Sequence, residues 1–406
     1  MNRKQLTILI VVGVVIGVLG IVAYKRQNES WNNTGTRMGA KVIEKFPMND
    51  VERLSIRQGS NQLNLAKKNE IWVVEERGDY PANFDTIRDF LQKVGEVKVA
   101  QAPQVGQSQL ARLELSASDK STNSGTQVEF KDKSGKQINT LMLGKKHMKE
   151  SKGDSQFGGG GFPDGRYVMV GSDAKTVAVT SEAFANIEPK PEEWLSKDFF
   201  KVENLKTIAV TSQNASNNWK LFREKEGADW KLADPKKEEQ VENTKTTVMS
   251  SALSSPSFND VSTESAEKTG LDKPTLTAKL ETFDGFNYDV KVGKKVSDDK
   301  DDYFFKVAIT GDIQKDRVPG KDEKPEDKTK LDKEQADKAA KLQEKLKSEK
   351  AFEKWTYVVS KWTVDPLFKE RKDFLAEKKE EPKVADKAPA APSPTVITPP
   401  TAATTK

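Results

Sequence analysis

His147 is the single histidine of this chain of 406 residues. A Ser-His-Asp triad or a multi-histidine zinc site must use it or not exist. It stands in Lys145-Lys146-His147-Met148-Lys149, a basic turn in which a solvated loop residue is expected. Ser172-Asp173-Ala174-Lys175 fits Ser-x-x-Lys, but that motif needs a helix to bring serine and lysine to one face, and here it falls in a turn between two apolar strands. Asp298-Asp299-Lys300-Asp301-Asp302 offers carboxylates to a cation without the alternating spacing, the glycine or the distal glutamate of a calcium loop, and reads as a solvated hairpin. Gly158 to Gly161 is followed by no Gly-Lys-Ser/Thr and opens no helix, so it reads as a flexible loop and not a phosphate cradle. Phe157 and Phe162 flank it and leave open a flap that touches a partner. Cysteine is absent, which removes disulfides, thiolate metal sites and cysteine nucleophiles. Carboxylates are too numerous for pairing to be informative, because a glycosidase pair is defined by a distance. The residues therefore show no catalytic, cofactor-binding or metal-binding set, and no small-molecule substrate.

The elements that carry these residues begin with an apolar run from Leu6 to Tyr24. As a helix it spans about 28 Å at ~1.5 Å per residue, close to the hydrocarbon thickness of a bilayer. Arg3 and Lys4 precede it, Lys25 and Arg26 follow it, and no small-x-small cleavage site stands nearby, so a retained anchor is expected over a cleaved signal peptide. The slight excess of positive charge on the amino side favours the N-terminus inside and the body outside the cytoplasm. Gly13 and Gly17 fit a close helix–helix contact, although glycine is common in membrane helices. The whole chain is hydrophilic, with 32% charged residues and a mean hydropathy of −0.71. Its net charge of +5 is spread evenly. Nucleic-acid binders need a stripe of one sign, so that class is set aside.

One pattern runs twice along the body. Val51 to Ile56, Leu63 with Leu65, and Ile71 to Val74 read as strands. Tyr80-Pro81-Ala82-Asn83 is a turn whose Asn83 caps a helix with Phe84, Ile87, Leu91 and Val94 on one face. Strands return at 128–130, 138–143, 167–170 and 177–179. In the second copy Leu205 to Val210, Trp219 to Phe222 and Trp230 to Leu232 repeat the first strands. Val241, Val248, Met249 and Leu253 suggest the helix, Leu276 to Thr282 and Phe286 to Val292 form a hairpin over Asp284-Gly285, and Tyr303 to Ile309 alternate as a further strand. Leu205 follows Leu54 by 151 residues, Trp230 follows Trp72 by 158, and Gly293-Lys294-Lys295 follows Gly144-Lys145-Lys146 by 149. Tryptophans 72, 194, 219, 230, 355 and 362 lie on or beside strands and read as core anchors, with a sugar- or peptide-stacking face as the alternative.

Residues 312–351 look inserted between two strands of the second copy. Glu334 with Lys338 and Asp337 with Lys341 are i,i+4 pairs, and Ala339, Leu342 and Leu346 make a thin apolar stripe, so a solvated helix is expected, with a short coiled coil as the minor option. From Pro382 on, proline, alanine and threonine dominate, and a disordered tail is expected.

In Trp72, Tyr80-Pro81-Ala82 with its helix, Leu143-Gly144-Lys145 and Pro191-Glu192-Glu193-Trp194-Leu195, the chain resembles a bacterial membrane-anchored family catalogued as a domain of unknown function, with repeated modules of this kind. Trp362 before Asp365-Pro366-Leu367-Phe368 resembles the closing tryptophan of the second module. Asp234-Pro235 stands where a second Tyr-Pro-Ala is expected. The resemblance implies a place beside auxiliary ABC-type transporters of the gliding-motility kind and carries over no catalytic residues.

The expected fold class is α+β: an N-terminal transmembrane helix (1–26), a linker (27–45), two tandem and mostly antiparallel sheet modules (46–200 and 201–375), each with a packed helix, and a tail (376–406). The expected function is that of a single-pass protein of the bacterial cytoplasmic membrane, held in lipid through residues 6–24 with its bulk extracytoplasmic, that binds other proteins without catalysis and takes no cofactor. The alternatives are an anchored peptidoglycan- or polysaccharide-binding module and an uncatalogued hydrolase. Tryptophans and Tyr167 gathered on one exposed groove would favour glycan. Acidic pairs in a deep cleft would favour hydrolysis. Exposed strand edges or an apolar patch would favour a protein partner.

Overall fold

The computed structural model describes residues 37–116, 124–148, 163–237, 239–319 and 323–376. The anchor at 6–24, the glycine loop at 158–161 with Phe157 and Phe162, and residues 377–406 of the tail lie outside these. Among the described residues no helix is long and apolar enough to cross a membrane.

The fold is α+β, built on two antiparallel sheets. The first contains β1 (Arg53–Gln58), β2 (Asn61–Lys68), β3 (Ile71–Val74), β4 (Tyr80–Pro81), β5 (Val99–Gln101), β6 (Thr126–Lys131), β7 (Gln137–Met148), β8 (Pro163–Val170) and β9 (Ala178–Thr180), in the spatial order β4-β3-β2-β1-β6-β7-β8-β9-β5. The second contains β10 (Leu205–Ser212), β11 (Trp219–Phe222), β12 (Lys231–Leu232), β13 (Asp260–Ser262), β14 (Leu276–Thr282), β15 (Phe286–Ser297), β16 (Lys300–Gly311) and β17 (Thr356–Ser360), in the order β12-β11-β10-β14-β15-β16-β17-β13. Apart from β4, each strand of the first sheet has a counterpart at the same place in the second.

Alternation sets the register. Leu54 and Ile56 are buried and lie opposite Leu65 and Leu63 on β2 and Phe130 and Val128 on β6. A slip of one residue would turn this whole set to solvent. The helix α1 (Phe84–Glu96) is capped by Asn83, whose Oδ1 accepts from the Thr86 N–H at 3.2 Å. It buries Ile87, Phe90, Leu91 and Val94, each contributing roughly 1.5–3 kcal/mol. The stripe expected from sequence is corrected at one position: Phe84, in the first turn, is exposed, and Phe90, one turn and a half along, faces the sheet instead.

Gly144 and Gly293 sit at matching irregularities, where the β7–β8 and β15–β16 ladders shift register. A crossing carbonyl presses on each of them. A Cβ on Gly144 would lie 2.4 Å from the Leu113 oxygen, and one on Gly293 2.3 Å from the Thr269 oxygen. The crossing segments end alike. Leu115 N–H donates to Leu110 O and Glu114 N–H to Ala111 O, while Leu271 N–H donates to Ala266 O and Gly270 N–H to Glu267 O. Both are helix-ending Schellman turns with a left-handed residue, Glu114 or Gly270.

The second packed helix differs from expectation. Asn243–Thr246 forms one α-turn and Thr247–Ser251 a 3₁₀ turn. Three threonines and two serines within nine residues disfavour a longer helix, and no side chain caps its start. Met249 is buried and Val248 exposed. The inserted helix α2 (Pro325–Lys350) is also not solvated on all sides. Ala339 is buried, Leu342 and Leu346 pack on the core, and Lys338 reaches Asp284 at 2.7 Å. Glu349, buried near its end, accepts from the Lys201 N–H at 3.0 Å and from the Tyr288 hydroxyl at 2.8 Å. Burial pushes its carboxyl above the ordinary range. The apolar stripe is thus covered by the chain's own sheet and not by a second helix.

One continuous core joins the two sheets. Tyr80, buried on β4, meets Phe258, Trp355 and Tyr357 of the second half edge-on, with centroids 5.7, 4.7 and 6.1 Å away. Arg77 donates to both oxygens of Asp260 on β13, at 2.7 and 2.8 Å. Phe199 in the connecting segment packs on Phe258, Phe352 and Tyr357.

Candidate protein-docking site

The residues singled out for chemistry do not converge. His147 lies on β7, where its Nδ1 is 2.7 Å from Asp164 Oδ1 across the ladder on β8, and both side chains are partly exposed. It is therefore a strand residue with a carboxylate partner and not a loop residue. Its ring lies 6.2 Å from Tyr167. Ser172 lies in a turn, as expected, just before the 3₁₀ turn Ala174–Thr176 that contains Lys175, and the Asp173 carboxylate caps that turn by accepting from the Lys175 N–H at 3.0 Å. The aspartates at 298–302 form the β15–β16 tip. There Lys295 holds Asp301 at 2.5 Å and its carboxyl below the ordinary range, and Asn259 donates to Asp302 at 3.1 Å. Among the described residues no three histidine, aspartate or glutamate side chains gather at one point.

Five of the six tryptophans among the described residues turn inward, as expected from sequence. Trp194, at 1% exposure, donates from Nε1 to Glu188 O, Trp219 donates to Lys369 O, and Trp230 donates to Ser250 Oγ. Trp72 is buried and Trp355 half-buried against Tyr80. Trp362 is the exception, at 72% exposure. Its expected role as the closing tryptophan of the second half is therefore corrected. It lies in the short helix Lys361–Val364 after β17, whose inward positions are Thr363 and Val364, so its own position points outward. Phe374 closes that end instead, buried and edge-on to Trp219 at 4.8 Å.

Trp362 stands at the rim of a groove of about 420 Å³. Val248, Leu253 and Pro256 form one wall, Trp362 and Pro366 the other, and the rest of the lining is serine and threonine, without a charged side chain. Three features hold the walls. Thr363 donates from Oγ1 to Ser257 O at 3.1 Å, tying one wall to the other. Leu253 is left-handed, with φ 55°, a conformation that costs a leucine about 1–2 kcal/mol. Its carbonyl accepts from the Val202 N–H at 2.9 Å, and its side chain is buried, which offsets that strain and lifts Ser254, Ser255 and Pro256 clear of the core. Trp362 and Val248, at 72% and 46% exposure, thus present unburied apolar surface side by side on a heavily charged molecule. Such patches mark contact sites. Nothing local in Lys361-Trp362-Thr363-Val364 marks the exposed indole, since which residues of that turn are buried is set by what packs behind it.

A family model matches residues 72–274, half of the chain; it describes a domain of unknown function, DUF4340. The matched stretch runs from β3 through the joint between the sheets to the threshold of β14. Neither the curated proteins nor the solved structures contain a match to the chain.

Proposed function

The chain belongs to the DUF4340 family, and we propose that it is a non-catalytic protein-binding component of an assembly in the bacterial envelope. In this reading residues 6–24 hold it in the cytoplasmic membrane, the bulk of the chain stands outside the cytoplasm, and the two halves are duplicated modules fused into one rigid platform. The matching strand orders and the twin turns at Gly144 and Gly293 support duplication. The continuous core through Tyr80 supports rigidity, since two modules joined only by a linker would move independently. The resemblance to proteins encoded beside gliding-motility-type ABC transporters makes such a transporter complex the assembly to test first.

The observation that carries the reading is the uncharged groove at Trp362. It suits a protein segment better than a polysaccharide, because glycan sites stack sugars on several exposed rings, whereas Trp72, Trp194, Trp219 and Trp230 are buried here and Tyr167 lies on the first sheet. Crosslinked capture from membranes tests it, comparing the full chain, Trp362→Ala and a chain lacking residues 1–26. Loss of the captured protein with Trp362→Ala, and loss of its membrane context without residues 1–26, is expected. Equal capture by all three forms overturns the reading.

A further inference from the structure

We infer that residues 388–400 of this chain, Ala-Pro-Ala-Ala-Pro-Ser-Pro-Thr-Val-Ile-Thr-Pro-Pro, dock on the Trp362 groove of the same molecule and cover it until a partner displaces them. The inference rests on the groove being a docking surface, and three observations select the occupant.

The first is where the chain leaves the described structure. Leu375 bridges Val241, the Ala376 N–H donates to Gln240 O at 2.9 Å, and Lys245 Nζ donates to Leu375 O at 3.0 Å. Lys245 and the rim residue Val248 are three positions apart on one helical segment, about 5 Å along its axis. The exit point is therefore fastened beside the groove. Pro389 lies thirteen positions beyond Ala376, and at ~3.1 Å per residue that stretch reaches up to about 40 Å, more than this separation needs.

The second is charge. Eight of the eleven residues 377–387 are charged, whereas none of residues 388–405 is. The groove lining is uncharged too. The leading stretch suits water, as a spacer, and the following one suits a surface that offers no counter-charge.

The third is backbone chemistry. Pro389-Ala390-Ala391-Pro392 and Pro399-Pro400 favour the polyproline II helix, whose backbone carbonyls are left without internal partners. Aromatic-walled grooves take such segments by stacking proline rings, and nearby donors satisfy the carbonyls. Trp362, Pro256 and Pro366 provide the stacking faces, and the hydroxyls of Ser254 and Ser255 the donors. Tethering supplies an effective concentration on the order of mM, so a contact too weak to hold between separate molecules is populated within one.

The absence of cysteine makes the test direct. Lys361→Cys with Ser393→Cys, introduced into the detergent-solubilised full chain and spin-labelled, reports the distance from groove to tail. A short, narrow distribution is expected, unchanged when labelled chain is diluted with unlabelled chain, and broadened when Trp362→Ala is added. A broad distribution that Trp362→Ala leaves unchanged overturns the inference. So does a short distance that disappears on dilution, which assigns the groove to the tail of a second copy. If the distribution is broad while membrane capture still requires Trp362, the tail is not the occupant and the docking reading stands.

Discussion

Removing Tyr80 should loosen one half of the molecule from the other. The side chain is fully buried at the joint and touches Phe258, Trp355 and Tyr357 edge-on. Truncating a buried aromatic to alanine costs about 3–5 kcal/mol, and each edge-on pair adds roughly 0.5–1.5 kcal/mol beyond area burial. The full chain, with one continuous core, should unfold in denaturant as a single transition, and Tyr80→Ala should split it into two. A double-mutant cycle with Trp355→Ala, the nearest ring at 4.7 Å, isolates the pair and should give a coupling of about 0.5–1.5 kcal/mol. Intrinsic fluorescence and far-UV circular dichroism, followed together through the titration, separate one transition from two. If Tyr80→Ala keeps a single transition and the cycle is additive within about 0.3 kcal/mol, the halves are not coupled through Tyr80 and the rigid-platform argument fails.

Other expectations follow from single contacts. Arg371 donates from Nε and Nη2 to Glu239, and the Lys236 N–H donates to the same carboxylate, which holds the Glu239 carboxyl at about 2 against an ordinary 4.5. A depressed carboxyl stabilises the fold above the unfolded value, so stability should drain away as pH falls from about 4.5 to about 2, and Glu239→Gln should flatten that slope in acid titrations of the melting temperature. Gly144→Ala and Gly293→Ala drive a Cβ into a backbone oxygen and should each cost about 1–3 kcal/mol or more. Gly135→Ala, left-handed but facing open space, should cost only about 1 kcal/mol, and equal losses at all three sites in thermal melts would contradict the crossing carbonyls. Trp194→Ala should lose about 3–5 kcal/mol and Trp362→Ala less than about 0.5 kcal/mol, so a large loss for the latter would show that its indole is buried.

Much of the strand plan could be read in advance because period-two alternation is local. Ile71 to Val74 and Trp219 to Phe222 coincide with β3 and β11 to the residue. The hairpin over Asp284-Gly285 follows from one left-handed glycine, with φ 87°. β4, β5 and β13, of two or three residues each, were missed because so few positions show no period. The second packed helix is shorter than the apolar spacing at Val248, Met249 and Leu253 suggests, because the run of threonine and serine around them disfavours a longer helix. The candidate site was half legible. Its tryptophan was noted, but whether an indole faces core or solvent depends on what packs behind the turn that carries it.

The amino-acid sequence by itself determined the α+β class, the capped helix at Asn83, the single histidine and the absence of cysteine. Each of these is written in neighbouring residues or in composition. Only the tertiary structure decided that Tyr80 locks the halves together, that the inserted helix lies on its own sheet through Leu342 and Glu349, and that Trp362, alone of the six tryptophans among the described residues, stands in water. These outcomes depend on contacts between residues up to about 280 positions apart. No local period encodes such contacts, because they are settled by which buried surfaces the closed chain brings face to face.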